Sequence, residues 1–181
     1  MITEVVPRVS RWEEKLCSVE LETLENLREF ISKLVIDDYH RVSAQLRNYV
    51  KSFFRENSWI TNYKFTSDVP EDISDVNYRF DGILDLNSSS CSHRHRMLLE
   101  ICFDNRQTIG TNLLKFELAA RAFESDSSKK SLGIMLCADR LSLRRFGWDE
   151  SAGSSEEYEV ALRGPYGDLL KHQPTLLVIR G

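Results

Sequence analysis

The sequence predicts an α/β domain in which a mixed central sheet is flanked by helices. Two short apolar runs of strand length, 80–86 (FDGILDL) and 97–103 (MLLEICF), are separated by a polar segment that suits a hairpin loop. A segment with helical spacing follows at 111–123, and a uniformly apolar run comes after it at 132–138. Because a strand–helix–strand crossover favours parallel pairing, we expect 132–138 to be a buried, central strand beside 97–103.

The N-terminal part of the chain is predicted to be helical over residues 12–56. Apolar residues recur at spacings of three and four from Leu16 to Val35 and again from Tyr39 to Phe53. A break between two helices is expected near Asp37 and Asp38. These helices are expected to pack on one face of the sheet, with the helix at 111–123 on the other.

The whole chain, 1–181, is expected to form a single domain, since its length is ordinary for one hydrophobic core. Residues 1–56 hold the N-terminal helices and residues 57–138 the sheet-forming core, which starts with a short strand at 57–65. Residues 139–181 are predicted to be an irregular segment that ends in a final strand.

Charge does not identify the class of partner. The formal net charge is -4 and the pI is near 5.6, values that neither indicate nor exclude nucleic-acid binding. Arginine clusters are the more informative feature, because the guanidinium group can contact phosphate or guanine through two hydrogen bonds. The candidate DNA-binding residues are Arg94, Arg96, Arg144 and Arg145, the first two in the predicted hairpin loop at 87–96.

Cysteine usage and hydropathy predict a cytoplasmic protein without a membrane anchor. The four cysteines show no C-x-x-C spacing, which favours reduced thiols over a disulfide framework. No apolar run approaches the ~18 residues that a membrane span requires, and the first residues show no signal-peptide pattern.

Two carboxylates stand out on the predicted hairpin. Pairing of the two strands would bring Asp81 near Glu100, and a helix follows the second strand. An Asp on one strand, a Glu-x-x triplet (100–102) on the next and a helix after it resemble the PD-(D/E)xK nuclease pattern. The downstream segment 103–116 (FDNRQTIGTNLLKF) is similar to that of restriction endonucleases of the BamHI/BglII type. The likeness covers residues 79–123, and Cys102 stands where Lys is usual.

The resemblance implies a restriction-endonuclease-like fold, with 57–138 as its catalytic core, and Mg²⁺-dependent hydrolysis of duplex DNA. The catalytic candidates are Asp81, Glu100 and Cys102. Asp81, Glu100 and the backbone carbonyl of Cys102 are the expected metal ligands, since Mg²⁺ prefers oxygen. Asp104 and Lys115 are expected to compensate for the missing lysine. Enzymes of this type are typically homodimers that cut palindromic sites, so an N-terminal helix is also a candidate dimer interface.

Other interpretations stay open at this point. The chain is alternatively a degenerate nuclease fold that binds DNA without cutting it, or a nuclease with a role in repair. Cys102 as a nucleophile would need a nearby imidazole, for which His93 and His95 are the nearest candidates in sequence. The same His-x-His pair could bind a metal ion, although no further Cys or His follows at zinc-like spacing.

Overall fold

The computed structural model describes residues 4–8, 17–34, 42–64, 78–87, 93–103, 105–147, 151–164 and 166–181. Within these ranges the chain forms six strands and five α-helices, with a short 3-10 helix at Arg106–Thr108 before the third helix. The strands are β1 (Glu4–Arg8), β2 (Ile60–Lys64), β3 (Arg79–Leu86), β4 (Arg94–Ile101), β5 (Lys129–Ala138) and β6 (Thr175–Arg180). The helices are α1 (Ser18–Ser32), α2 (Val42–Glu56), α3 (Ile109–Phe123), α4 (Arg140–Arg145) and α5 (Ser155–Arg163).

All six strands belong to one mixed sheet, in the order β1-β6-β5-β4-β3-β2. The central strands β4, β5 and β6 are parallel, whereas β3 is antiparallel to β4, β2 to β3 and β1 to β6. The predicted hairpin and the predicted parallel crossover through α3 are therefore both confirmed. Because β4 and β5 run in the same direction, the helices that follow them, α3 and α4, both start at the same edge of the sheet.

Helices cover both faces of the sheet, as the sequence predicts. Successive side chains of a strand point to opposite faces. On β4, Met97, Leu99 and Ile101 pack with residues of α1, α2 and α4. Leu98 and Cys102 pack on the other face with residues of α3 and α5. The N-terminal helices and α3 thus lie on opposite sides of a two-sided core. No helix in the described ranges has the length and apolar character needed to cross a membrane.

The segment 139–174, predicted to be irregular, contains two helices, so this prediction was wrong. Asp139 starts α4 by accepting a hydrogen bond from the Ser142 backbone N–H at 2.7 Å. Ser154 and Glu157 form a reciprocal capping box at the start of α5. Both helices are short, so their apolar spacing is hard to detect, and the capping residues were the available signal.

The hairpin loop is shorter than predicted, because β4 begins at Arg94. Arg94, His95 and Arg96 therefore lie in the strand and not in a loop. Their polar side chains have partners there: both arginines form ion pairs with Asp85 of β3, and His95 contacts Glu20 of α1. Residues 65–77, 88–92 and 104 lie outside the described ranges, which includes the acidic loop predicted at 66–75 and the supporting candidate Asp104.

Candidate active site

The hairpin of β3 and β4 places Asp81 beside Glu100 at the edge of the sheet where β4 ends. In the antiparallel register, Gly82 lies opposite Leu99. The Asp81 carboxylate accepts a hydrogen bond from the Ile101 backbone N–H at 2.9 Å. Asp81 and Glu100 are therefore cross-strand neighbours, and the charge of Asp81 acts on the Glu100 carboxyl group. The Asp81 carboxylate is thus held by the backbone of the neighbouring strand.

Gly82 lets helix α2 pack close to this edge. A Cβ atom at Gly82 would lie 2.7 Å from the ring of Phe54 on α2, which is closer than carbon atoms pack. Arg47 lies seven residues before Phe54 and therefore on the same face of α2. Its guanidinium group contacts Asp81, with 3.2 Å between Nη1 and Oδ1, and donates from Nη2 to the Ile101 carbonyl at 3.0 Å. No sequence pattern indicated a role for Arg47, because it precedes Asp81 by 34 positions and lies on a separate helix.

Helix α3 supplies a lysine to the same cluster. Lys115 Nζ lies 2.8 Å from Glu100 Oε2 and donates to the Arg79 carbonyl at 2.7 Å. The ammonium group also lies 4.8 Å from the centre of the Phe80 ring. Lys115 is only 5% exposed. A buried cation is costly unless it is paired, so these contacts hold the ammonium beside Glu100.

Glu100 is poised between its two protonation states near neutral pH. Burial raises the pKa of its carboxyl group, the Lys115 charge opposes this, and the neighbouring Asp81 charge adds to it, so that the pKa reaches about 7. The Lys115 contact is an ion pair whose alignment is not that of a hydrogen bond. Glu100 Oε2 is therefore buried without an aligned hydrogen-bond donor among the described residues.

This carboxylate pair fits a divalent cation that prefers oxygen ligands. Asp81 and Glu100 present hard carboxylate oxygens side by side, and one buried oxygen of Glu100 has no aligned donor in the described structure. A cation there would offset the cost of ionising Glu100 next to Asp81. Mg²⁺ is a suitable ion, because it is commonly bound through one or two carboxylates and keeps several waters.

Cys102 is fully buried in the core on the α3 face of the sheet. Asn112 Nδ2 lies 3.8 Å from the Cys102 sulfur. The Cys102 backbone N–H donates to the Leu136 carbonyl. Burial, followed by the Glu100 charge, raises the pKa of the thiol well above its ordinary value. A nucleophilic thiol needs a lowered pKa and a nearby base. His95 lies seven residues before Cys102 in the same extended stretch of chain. At about 3.3 Å per residue, the two residues are roughly 23 Å apart.

The four candidate arginines fall into two groups. Arg144 and Arg145 are exposed on α4, which follows β5 at the edge that carries the carboxylates. Arg94 lies at the far end of β4, six residues before Glu100 and thus roughly 20 Å from it at about 3.3 Å per residue. Arg96 is paired with Asp85 and lies 4.1 Å from the centre of the Phe123 ring.

Arg106 is a further exposed arginine at the carboxylate edge and was not among the four candidates. Arg106 lies in the short 3-10 helix between β4 and α3, with Nη1 3.5 Å from Glu157. Its place directly after the Glu100 strand was the available signal.

Neither a scan against protein-family models nor a search of curated proteins finds a match for this chain. Its function is therefore inferred from the geometry of these residues.

Proposed function

We propose that this protein is a Mg²⁺-dependent endonuclease of the PD-(D/E)xK type that cuts duplex DNA. Asp81 and Glu100 would hold the metal, and Lys115 would take the part of the lysine that usually stands at the position of Cys102. The observation that supports this most is the cluster itself. Side chains from β3, β4 and α3 meet at one edge of a mixed sheet, and the partly buried Glu100 contacts the buried Lys115.

Each residue of the cluster has a separate role in the proposed chemistry. Bound Mg²⁺ would polarise the phosphoryl oxygen and lower the pKa of the attacking water. Asp81 and Glu100 contribute negative charge side by side, because the Ile101 backbone N–H holds the first carboxylate and the Lys115 ammonium group contacts the second. Lys115 contributes a positive charge beside them, which can orient the attacking water and offset charge on the phosphate. Cys102 packs behind Glu100 and supports its strand.

The restriction-endonuclease-like fold and the partners belong to the same proposal. A mixed sheet with helices on both faces is compatible with that fold. Arg144, Arg145 and Arg106 lie at the carboxylate edge and are the proposed phosphate or base contacts. A cytoplasmic homodimer that reads a palindromic site would match the two-fold symmetry of such DNA. A repair nuclease would use the same chemistry on a damaged duplex.

Cleavage of a supercoiled plasmid tests the proposed site. The parent is expected to nick or linearise DNA with Mg²⁺ and to be inactive with EDTA. Asp81→Ala and Glu100→Ala should abolish cleavage while DNA binding survives, because each removes a metal ligand and some repulsion of the phosphate. Asp85→Ala is the matched control, since this carboxylate lies on the same strand but pairs with Arg96. Parent-like cleavage by either site variant would show that the site is wrongly placed.

A second candidate function is DNA binding without cleavage. The observation that favours it is Arg47, whose guanidinium group already contacts both the Asp81 carboxylate and the Ile101 carbonyl. If that contact is permanent, it takes up oxygens that a metal would use. Such a protein would bind duplex DNA with affinity that falls steeply with salt, and it would give no product with any divalent ion.

A further inference from the structure

A second cluster of possible metal ligands lies away from the carboxylate pair. It joins the start of α1 to the start of β4 and contains Cys17, Glu20 and His95. The sulfur, a carboxylate oxygen and an imidazole nitrogen all lie within 4.8 Å of one another. Glu20 is 2% exposed and His95 is 7% exposed, whereas Cys17 is partly accessible. The three residues are therefore a compact, mostly buried set with one accessible member.

Hydrogen bonds hold these side chains in place. The Cys17 backbone N–H donates to one oxygen of Glu20 at 3.1 Å. The other oxygen of Glu20 lies 2.7 Å from Nδ1 of His95. Glu20 thus connects the first turn of α1 to the sheet, and its position is fixed at both oxygens.

Cys17 and Glu20 form a capping box at the start of α1, and the Cys17 sulfur is the weaker acceptor of the two. Cys17 is the N-cap residue, a position that favours Ser, Thr, Asp or Asn because their oxygens accept hydrogen bonds well. A thiol is a weak acceptor. It is, however, a strong ligand for zinc once deprotonated, and here it lies beside a buried imidazole and a buried carboxylate.

We propose that Cys17, Glu20 and His95 bind one Zn²⁺ ion, with a water as the fourth ligand. Thiolate, imidazole and carboxylate together are a donor set that zinc accepts and Mg²⁺ does not. Zinc bonds to nitrogen and oxygen of about 2.0–2.1 Å place two ligands of a tetrahedral ion about 3.3 Å apart. The 2.7 Å contact of Glu20 and His95 must therefore widen by roughly half an ångström as the metal replaces their hydrogen bond.

Zinc uptake by this cluster has a defined proton balance. The Cys17 thiol loses its proton to solvent when the sulfur binds the metal. Glu20 binds as a carboxylate and His95 as a neutral imidazole whose remaining proton lies on the nitrogen that does not bind. Binding should therefore release a proton and tighten as pH rises.

The bound ion would fasten the start of α1 to the sheet. Glu20 and His95 are 75 residues apart in sequence, so the metal closes a long loop of the unfolded chain. The cluster lies at the opposite end of β4 from Glu100, roughly 17 Å away at about 3.3 Å per residue over five residues. Its role is thus structural and does not depend on the proposed nuclease activity.

Cobalt titration tests the zinc site on the whole chain after dialysis against a chelator. The near-ultraviolet absorption of a thiolate–cobalt bond should saturate at one Co²⁺ per chain, and Zn²⁺ should remove it. Cys17→Ser should lose the thiolate band, and both Cys17→Ser and His95→Gln should weaken Zn²⁺ binding at least tenfold. His93→Gln is the control and should bind Zn²⁺ like the parent. A thiolate band that persists in Cys17→Ser would overturn the proposal.

A second measurement needs no variant. Iodoacetamide should alkylate Cys17 in the apo protein, because that thiol is partly accessible, and mass spectrometry can locate the adduct. One equivalent of Zn²⁺ should slow the labelling of Cys17 at least tenfold. Labelling of Cys17 at the same rate with and without Zn²⁺ would show that the thiol does not bind the metal.

Discussion

Removing the Glu100–Lys115 ion pair should change how stability depends on pH. We consider the double variant Glu100→Gln with Lys115→Met, which leaves neither charge buried without its partner. In the folded parent without metal, the pKa of Glu100 is about 7, against an ordinary value of 4.5. At about 1.4 kcal/mol per pKa unit, ionising Glu100 inside the fold costs about 3 kcal/mol.

The sign of this effect follows from proton binding. Between pH 4.5 and about 7 the folded protein keeps the Glu100 proton that the unfolded chain has lost. The free energy of unfolding therefore falls as pH rises, by about 2.5 kcal/mol from this group between pH 5 and pH 8. The double variant lacks this titration, so its stability relative to the parent should increase by about that amount over the same range.

Urea unfolding in EDTA, measured at several values between pH 5 and pH 8, gives the stability difference directly. Asp85→Asn is the control, because the arginines beside Asp85 outweigh its burial and lower its pKa, so that it stays ionised throughout. Saturating Mg²⁺ at pH 8 should stabilise the parent and not the double variant. A stability difference that is constant across this pH range would refute the raised pKa and the desolvated carboxylate on which it depends.

Three further substitutions test separate parts of the structure. Arg47→Met removes the cation that contacts Asp81, so Mg²⁺ should bind more tightly by isothermal calorimetry; weaker binding would mean that Arg47 positions Asp81 for the metal. Cys102→Ala should keep most of the cleavage rate, since the thiol is buried and protonated; a folded but inactive variant would contradict this. Burial alone would raise the pKa of Glu124, but hydrogen bonds from His172 and Ser131 lower it to about 2. Glu124→Gln should therefore destabilise the protein at pH 7, and the loss of stability should shrink as pH falls from 4.5 toward 2. Urea unfolding measures this loss, and an equal loss at pH 7 and near pH 2 would contradict the lowered pKa.

Local patterns were enough to predict the sheet that carries the site. The apolar runs around Asp81 and Glu100, the polar gap between them and the helical spacing that follows are all short-range features. Lys115 was among the supporting candidates because it lies on the helix after the Glu100 strand. Strand pairing and a short crossover then leave few arrangements for β3, β4 and β5, and the structure adopts the predicted one, whereas the edge strand β1 was not predicted.

Contacts between distant segments could not be predicted in this way. Arg47 meets Asp81 only because Gly82 lets α2 approach the sheet, and Glu20 meets His95 across 75 positions. The polar composition of 87–96 also led to a wrong prediction that Arg96 lies in a loop. A charged residue in a strand is hard to distinguish from a loop residue when its partner on the next strand is unknown. Single-sequence periodicity contains none of this tertiary information.

We propose that Lys115 of α3 supplies the cation of a metal-dependent nuclease site. It is tested most directly by the single-turnover rate of plasmid cleavage at saturating Mg²⁺ for the parent, Lys115→Met and Lys129→Met. Lys129 is the control, because it lies on β5 and forms an ion pair with Asp126. We expect Lys115→Met to cut at least about 100-fold more slowly while it still binds DNA, because a catalytic proton-transfer or charge-stabilising group is lost. Lys129→Met should cut at the parent rate. A Lys115→Met variant that cuts at the parent rate, or a parent that does not cut at all, would contradict the claim.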